Sequence, residues 1–246
     1  MTQRNSHIIN LFRQAKHIAV LTGAGVSAES GIPTFREAQT GLWAQYDPEA
    51  LATPQAFEAN PKLVWDWYQW RAELVGKAMP NPGHFALAEL ESLVPTLTLI
   101  TQNVDGLHAQ AGSQNIIELH GRINRYKCSA EHRIVTHWES TETPPRCPHC
   151  SAYLRPDVVW FGEGLPRTAI EEAFEAAEQC DLFLSIGTSS LVQPAASLPL
   201  IALEKNTAVI EINPNPTPLS RYVTHTLSYP AGEILPTLID QLQNEV

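Results

Sequence analysis

The sequence predicts an α/β fold in which a doubly wound parallel sheet forms a large lobe and two insertions form a smaller one. Three observations support this prediction. Short apolar runs recur along the chain, helical patterns separate several of them, and glycine-rich or polar loops follow them. Near-continuous apolar runs are typical of strands buried on both faces of a parallel sheet. The pattern therefore places helices on both sides of the sheet.

Each element of the large lobe is predicted from its own residues. β-branched or leucine-rich runs predict strands at 17–22, 97–101, 116–120, 182–186 and 208–212. Helical apolar spacing predicts helices at 82–93, 168–179 and 197–204. At the N-terminus, a surface helix behind an N-cap at Ser6 is predicted by the apolar residues Ile8, Ile9, Phe12 and Ala15.

Two segments interrupt this alternation and are predicted to form the smaller lobe. Residues 37–80 are helix-rich and aromatic, and residues 122–157 are irregular, with clustered cysteines and prolines. We therefore expect a single domain spanning 1–246. Its large lobe takes about 1–36, 81–121 and 158–246, and its small lobe joins a helical module (37–80) to a zinc-ribbon-like module (122–157).

Composition limits the classes of partner. The net charge is −10, which argues against a nucleic-acid-binding protein, because such a protein needs a basic surface to displace counterions. No run of 18 apolar residues occurs, so no membrane-spanning segment is predicted. The N-terminal residues lack the pattern of a secretory signal, and we therefore expect a cytoplasmic location.

A glycine-rich loop follows the first predicted strand. Gly23-Ala24-Gly25-Val26-Ser27-Ala28 fits the G-x-G-x-x-A phosphate-binding pattern, in which backbone N–H groups hold pyrophosphate oxygens. A purely structural strand–turn–helix also uses glycine, so both interpretations are open. Pro33 stops any helix early, which differs from an ordinary Rossmann unit and leaves the ribose to other residues.

Polar side chains follow the other predicted strands as well. Amides and a carboxylate lie in the loop 101–105, His120 ends the third strand, and small or polar residues follow the last two strands at 186–189 and 211–213. A lone histidine in this position is more often structural than catalytic. Because ligands bind outside the carboxyl ends of strands in open α/β sheets, the five strand ends together predict a nucleotide-cofactor cleft.

These motifs together resemble the sirtuin family. GAGVSAESGIPTFR, TQNVD, ELHG, VVWFGE, IGTSSLVQPA and INP occur in the family's order and spacing, from about residue 16 to 240. The resemblance implies a protein lysine deacylase that consumes NAD. It also implies a Rossmann-like large lobe, a small lobe of helical and zinc modules, and acylated-lysine proteins as substrates.

The resemblance also implies roles for individual residues. His120 would be the general base acting on ribose hydroxyls, and Asn103 and Asp105 would lie at the nicotinamide end as further catalytic residues. Phe35 would shield the anomeric carbon from water. The implied cofactor-binding set is Gly23, Ala24, Gly25, Thr34, Phe35, Arg36, Gln102, Asn103, Asp105, Gly187, Thr188, Ser189, Asn213 and Ala231. The substrate peptide would add as a strand along 158–163, at Val159, Phe161 and Gly162.

The metal site departs from the family pattern. Clustered cysteines without an export signal indicate metal rather than disulfides. The resemblance implies one structural zinc on two Cys-x-x-Cys pairs, but only Cys147 and Cys150 form such a pair here, and Cys128 has no second cysteine. His132, at Cys-x₃-His spacing, is the predicted fourth ligand. His137 or His149 could replace it, and a site that no longer holds metal is the alternative. Cys180 is interpreted as core.

Residues 61–75 are predicted to form an aromatic helix with three faces. Leu63, Trp67, Trp70 and Leu74 make an apolar stripe expected to face the core. A second face carries Tyr68 and Arg71 one turn apart. Arg71 either extends to solvent or to a carboxylate of the protein, or it binds a ligand carboxylate together with Tyr68. The family resemblance favours the ligand, because Tyr-x-x-Arg marks class III sirtuins, which accept succinyl-, malonyl- and glutaryl-lysine.

Several functions remain open from the sequence. The first expectation is a monomeric deacylase that prefers acidic acyl groups and retains some deacetylation. A deacetylase without that preference, or an ADP-ribosyltransferase or NAD hydrolase in the same cleft, are the enzymatic alternatives. A non-catalytic NAD-binding module is the alternative from a different class. We expect neither nucleic acid nor a membrane as a partner.

Overall fold

The computed structural model describes residues 3–33, 46–139 and 142–244, and these contain a six-stranded parallel sheet. Its strands are β1 (His17–Thr22), β2 (Thr96–Thr101), β3 (Ile116–Glu118), β6 (Leu182–Ile186), β7 (Ala208–Ile212) and β8 (His225–Leu227). They lie in the order β3-β2-β1-β6-β7-β8. The predicted α/β fold with a parallel sheet is therefore confirmed.

Helices cover both faces of this sheet. One face packs on α1 (Gln3–Gln14), α6 (Pro82–Leu93) and α10 (Ala231–Asn244), and the other packs on α8 (Arg167–Gln179) and α9 (Leu198–Glu204). In β1, Ile18 and Val20 belong to the first core, whereas Ala19 and Leu21 belong to the second. This double burial explains why the strand reads as a continuous apolar run.

Short helices at the strand ends and in the segment 46–80 begin at glycine, at proline or after a capping side chain. The glycine loop opens α2 (Ala24–Ala28), and α7 (Leu107–Ala111) follows β2. Each helix of the 46–80 segment starts with proline after a capping side chain, which fixes its first turn. These helices are α3 (Pro48–Leu51), α4 (Pro54–Ala59) and α5 (Pro61–Lys77), capped by Asp47, Thr53 and Asn60.

Some predicted element limits are wrong. Helix α1 begins at Gln3, so Ser6 lies within the helix and is not its N-cap. Strand β3 ends at Glu118, which leaves His120 in the following turn. The predicted helix 197–204 is a 3-10 turn, Ala195–Ser197, followed by α9. Strand β8 was missed because it is only three residues long and mostly half-buried.

Residues 122–157 are more regular than predicted. They contribute to an antiparallel pair, β4 (Gly121–Cys128) and β5 (Leu154–Val158). Charged side chains conceal this pair in the sequence, because Arg125 and Lys127 of β4 form ion pairs with Asp157 of β5 instead of alternating with apolar residues. The pair carries Cys128 at its end. The division of the chain into two lobes stays a prediction.

The faces of α5 also differ from the prediction. Leu74, which was expected to be core, is 39% exposed, whereas Tyr68 is 1% exposed. One broad face of the helix packs on two partners at once. Trp65 contacts Tyr126 of β4 with ring centroids 5.3 Å apart, and Tyr68 stacks on Trp160 at 6.1 Å. A helix between two partners buries a wide arc, so the single narrow stripe was the wrong model.

In the described ranges, no helix has the length together with the apolar character that crossing a bilayer requires.

Candidate active site

The glycine loop after β1 packs directly against the loop after β6. The Gly25 N–H donates to the Gly187 carbonyl at 2.8 Å, and the Gly23 N–H donates to Ile186 at 3.1 Å. A Cβ on Gly25 would lie 2.7 Å from the Gly187 oxygen, and one on Gly187, which has φ +60°, would lie 2.5 Å from the Val26 nitrogen. The close packing of the two loops therefore requires glycine at these positions, whether or not a ligand also binds there.

A buried polar network lies beneath this loop. The Ser27 hydroxyl donates to Asp105 at 2.7 Å, and the Asn103 amide donates to Ser27 and to the Gly23 carbonyl, both at 3.1 Å. The second Asp105 oxygen accepts the Leu107 N–H at 2.9 Å. Asn103 and Asp105, which the sequence predicted, are therefore brought to the glycine loop, and their side chains have fixed orientations.

Two buried histidines that the sequence reasoning missed support the network. His84 Nε2 lies 3.4 Å from the Ser27 hydroxyl, and its ring is 4.8 Å from that of His108. His108 Nε2 lies 3.0 Å from the Thr22 hydroxyl. Burial lowers the pKa of His84 and lowers that of His108 to about 3, so both rings are neutral at pH 7. The signal available for His84 was its position in the first turn of α6, after the capping residue Asn81.

Thr188 connects two of the predicted amides. The Gln102 amide donates to the Thr188 hydroxyl at 3.1 Å, and the Asn213 amide donates to its carbonyl at 2.9 Å. Thr188 is buried and Ser189 is exposed. The loops after β2, β6 and β7 are thereby held together by side-chain hydrogen bonds.

Ala231, predicted at the adenine edge, begins α10 and is buried. The adjoining Gly232 N–H donates to Glu29 of the glycine-loop segment at 2.8 Å. The described residues thus bring Ala231 to the same group of loops. Thr34, Phe35 and Arg36 lie outside the described residues.

His120 has a defined tautomer. Its Nδ1 lies 2.9 Å from the Gln102 carbonyl, and a carbonyl oxygen only accepts, so Nδ1 carries the proton and Nε2 has the free lone pair. Burial lowers the pKa of His120, and the hydrogen bond to Gln102 opposes that shift in part. The ring is therefore a neutral base at pH 7.

The predicted substrate segment follows β5 and is attached to His120. The Val159 N–H donates to the His120 carbonyl at 3.0 Å, and the Phe161 N–H donates to Ala52 at 2.9 Å. The Phe161 side chain is 44% exposed, and Gly162 is exposed with φ +89°. Because both N–H groups are already bonded, an added strand has to pair with carbonyls here or with other N–H groups.

Tyr68 and Arg71 lie together on the buried side of α5. The Arg71 guanidinium carbon is 4.9 Å from the Trp67 ring centroid and 5.7 Å from that of Tyr68. Burial raises the pKa of Tyr68 to about 12, against the effect of Arg71, and burial lowers the pKa of Arg71. The phenol therefore stays protonated and available as a donor.

Three thiols converge at the end of β4. The sulfurs of Cys128, Cys147 and Cys150 all lie within 4.8 Å of one another. Within the described ranges, these three cysteines form the one cluster of possible metal ligands, and His132 is not part of it. His132 lies in an exposed turn with φ 55°. The structure therefore does not place the predicted fourth ligand with the other three.

The family of this chain follows from comparison with known proteins. The model of the Sir2 family matches residues 23–194, which include the glycine loop, His120, the thiol cluster and the loop after β6. The chain belongs to the Sir2 family. The strand-end loops described above are therefore arranged as part of the Sir2 fold.

Relatives and solved structures agree with this membership. A Pseudomonas aeruginosa protein named NAD-dependent protein deacylase 1 is 49% identical over 242 residues, covering 94% of this chain and 96% of that protein. A protein of the same name from Caldanaerobacter subterraneus is 53% identical, covering 85% and 86%. A Sir2 homolog–NAD complex is 46% identical with a TM-score of 0.91, covering 98% and 94%. Sir2 bound to an acetylated peptide is 29% identical with a TM-score of 0.86, covering 96% and 97%.

The thiol cluster of this Sir2 protein suits a zinc ion. Thiolates are preferred zinc ligands, and the three sulfurs lie close enough together to bind one ion. Burial raises the pKa of Cys147, but the N–H groups of His149 and Cys150 and the other two thiols lower it by more, so the net shift is downward. The N–H of Ala152 lowers the pKa of Cys150, but the other two thiols and burial raise it to about 11, so the cluster shares its protons until a cation binds. None of the four cysteines forms a disulfide.

We expect purified protein to contain one zinc per chain, because three converging thiolates need a cation to balance their charge. Metal analysis of the wild type and of Cys147→Ser measures this, with Cys180→Ser as the control, since Cys180 is buried elsewhere. A metal-free wild type with an intact fold would show that the cluster no longer binds zinc.

The contact between Gly25 and Gly187 predicts a stability effect. Gly25→Ala should lower the free energy of unfolding by about 1–3 kcal/mol, because the added Cβ meets backbone atoms that cannot rotate away. Gly76→Ala is the matched control, since nothing lies within 4 Å of its added Cβ. Denaturant unfolding compares the two, and equal stability of both variants would contradict the packing argument.

Proposed function

We propose that this Sir2-family chain is an NAD-dependent protein lysine deacylase that releases nicotinamide and O-acyl-ADP-ribose. Its relatives at 46–53% identity carry the name NAD-dependent protein deacylase. The observation that carries the proposal is the neutral His120 ring beside the substrate segment, with Nε2 free to accept a proton. We further propose that the enzyme prefers acidic acyl groups.

The residues present suit the cofactor. The glycine loop and the loop after β6 present backbone close to the cleft, and Ser189 is exposed there. Gln102, Asn213 and Ala231 would take the ribose and adenine side. When bound, NAD supplies a ribose carbon made electrophilic by departure of nicotinamide. Thr34, Phe35 and Arg36 complete the proposed set, with Phe35 excluding water.

Orientation of the ligand, proton transfer and substrate binding are assigned to the chain's own residues. Asn103 and Asp105 are held by Ser27, so they meet the ligand with fixed orientations and little reorganisation. His120 Nε2 accepts a proton from a hydroxyl group in the cleft. The segment at Val159, Phe161 and Gly162 takes the acylated lysine by backbone pairing. The Val159 N–H donates a hydrogen bond to the His120 carbonyl, so a substrate paired with this segment would be held at a fixed position relative to the base.

The preference for acidic acyl groups rests on Tyr68 and Arg71. The Tyr68 hydroxyl is buried and has no hydrogen-bond partner in the part of the chain that the structure describes. Burial also disfavours the charged form of Arg71, and a ligand carboxylate at that site would favour it again. An acetyl group offers no such acceptor beyond its carbonyl. We expect succinyl-, malonyl- and glutaryl-lysine to react faster than acetyl-lysine, which should still react.

The remaining assignments are proposals of the same kind. A cytoplasmic location is supported by the four unpaired thiols, and the absence of nucleic-acid and membrane partners by the net charge of −10. We propose a monomer with a large and a small lobe. His132 remains the proposed fourth zinc ligand if the turn that carries it rearranges. Otherwise water completes the site.

His120→Ala should lower kcat/KM for deacylation by about 10²–10⁴-fold, because the general base is removed. Circular dichroism and NAD binding serve as controls for the fold. Full activity of the variant would contradict the role assigned to His120. Release of nicotinamide by the wild type without any acyl-lysine would favour an NAD hydrolase, and bound NAD without turnover a binding module.

The pH profile gives a second readout of the same prediction. Since the pKa of His120 is lowered from 6.5, the ring stays neutral as pH falls to 6.5, and activity is lost only when acid protonates Nε2 below that value. The acid limb of kcat/KM should therefore lie below pH 6.5.

Arg71→Met should lower the ratio of kcat/KM for succinyl over acetyl versions of one peptide by at least about tenfold. A hydrogen bond to a charged group contributes about 1.5–3 kcal/mol. Arg167→Met is the control, because Arg167 is 89% exposed in a surface pair on α8. An acetyl preference that Arg71→Met leaves unchanged would refute the carboxylate site.

A further inference from the structure

Trp160, in the middle of the substrate segment, is packed on several sides. Its ring stacks on Tyr68 with centroids 6.1 Å apart and an interplanar angle of 28°, and it contacts Phe57 at 5.3 Å. The guanidinium carbon of Arg155 lies 3.2 Å from the ring centroid. With 2% of its surface exposed, Trp160 has a fixed position beside the phenol of Tyr68.

A buried ion pair holds this residue from a second direction. Arg155 is 3% exposed and donates to both oxygens of Glu163, at 2.6 and 2.9 Å. Glu163 also accepts the backbone N–H of Trp160 at 2.8 Å, and Arg155 donates to the Val158 carbonyl at 2.7 Å. The same pair therefore fixes the ring of Trp160 through stacking and its backbone through a hydrogen bond.

Three buried polar atoms in this cluster have no partner in the described ranges: the Tyr68 hydroxyl, the Trp160 Nε1 and the Arg155 Nε. An indole N–H can only donate, and leaving buried donors unpaired costs free energy. Burial raises the pKa of Tyr68, and the neighbouring Trp160 side chain opposes that rise in part. The two rings stack on one another, and the Arg71 guanidinium carbon lies 5.7 Å from the Tyr68 ring centroid, so the phenol, the indole and the guanidinium lie in one cluster.

We propose that Trp160 is a specificity-determining residue whose indole N–H, together with the Tyr68 hydroxyl and Arg71, binds the terminal carboxylate of an acidic acyl group. The inference rests on the proposed preference for such groups and names a further residue that enforces it. A carboxylate accepts several hydrogen bonds on its two oxygens, which matches three donor groups. The terminal methyl of an acetyl group accepts none.

The Arg155–Glu163 pair has a positioning role in this arrangement. Without it, the indole would lose both its stacked cation and its backbone anchor. Because stacking on Tyr68 depends on the orientation of the indole ring, the Arg155–Glu163 pair would hold the indole N–H in position for the proposed carboxylate.

Trp160→Phe removes the N–H and retains an aromatic ring. We expect the ratio of kcat/KM for succinyl over acetyl versions of one peptide to fall about tenfold, equivalent to about 1.4 kcal/mol. Trp65→Phe is the matched control: it is the same substitution on α5, but its ring faces Tyr126, and the ratio should not change. Thermal unfolding of both variants verifies the fold.

A second measurement does not depend on turnover. In ¹⁵N-labelled protein, the indole signal that disappears in Trp160→Phe should move further with the succinyl peptide than with the acetyl peptide, because both pair with the segment 158–163 but only the succinyl group brings a carboxylate. Equal shifts would overturn the role of Trp160. The comparison of the two peptides uses the wild-type protein, so it does not depend on the activity of the variant.

The outcomes separate this inference from the function on which it rests. If Arg71→Met lowers the succinyl-to-acetyl ratio and Trp160→Phe does not, the acidic preference stands and the role of Trp160 is overturned. Equal losses on both substrates in Trp160→Phe also overturn it, because they indicate a wall of the lysine channel. If the wild type shows no acidic preference, the proposed function and this inference both fail.

Discussion

The whole site depends on the parallel pairing of β1 with β2 on one side and β6 on the other. These pairings align the carboxyl ends of three strands, so that Thr22, Thr101 and Ile186 are in register. Glycine then allows the loops after β1 and β6 to touch backbone to backbone. Every polar group of the cleft is positioned relative to this contact, because the loops that carry them leave the sheet at the same edge.

Above the sheet, the cleft is organised by fixed hydrogen bonds more than by charge. Ser27, Asn103 and Asp105 orient one another, the two histidines behind them are neutral, and Thr188 connects Gln102 with Asn213. A site built in this way spends little free energy on reorganisation when a ligand arrives. The buried Arg155–Glu163 ion pair, by contrast, connects β5 to the segment that follows it.

The sequence predicted the long strands of the sheet because both of their faces are buried, so that each is a short apolar run followed by a glycine-rich or polar loop. Position after strands drew attention to His120, Asn103 and Asp105, and the family resemblance supplied their predicted roles. The sequence could not give the tautomer of His120, which depends on the Gln102 carbonyl, or the roles of His84 and His108, which become neighbours only in the fold. The β4–β5 pair escaped because ion pairs replace apolar alternation. Leu74 was misplaced because α5 has two partners, which periodicity alone does not reveal.

Helix α5 has a further consequence, since neighbouring residues of its broad buried face pack on different partners. Trp65 packs in the cluster that includes Cys128 and Cys147, whereas Tyr68, less than one turn away, packs on Trp160. The register of this single helix is therefore specified twice. A substitution that rotates α5 to suit one neighbour misaligns it with the other. The packing around Cys128 and Cys147 and the stack of Tyr68 on Trp160 are thus coupled through the orientation of one helix.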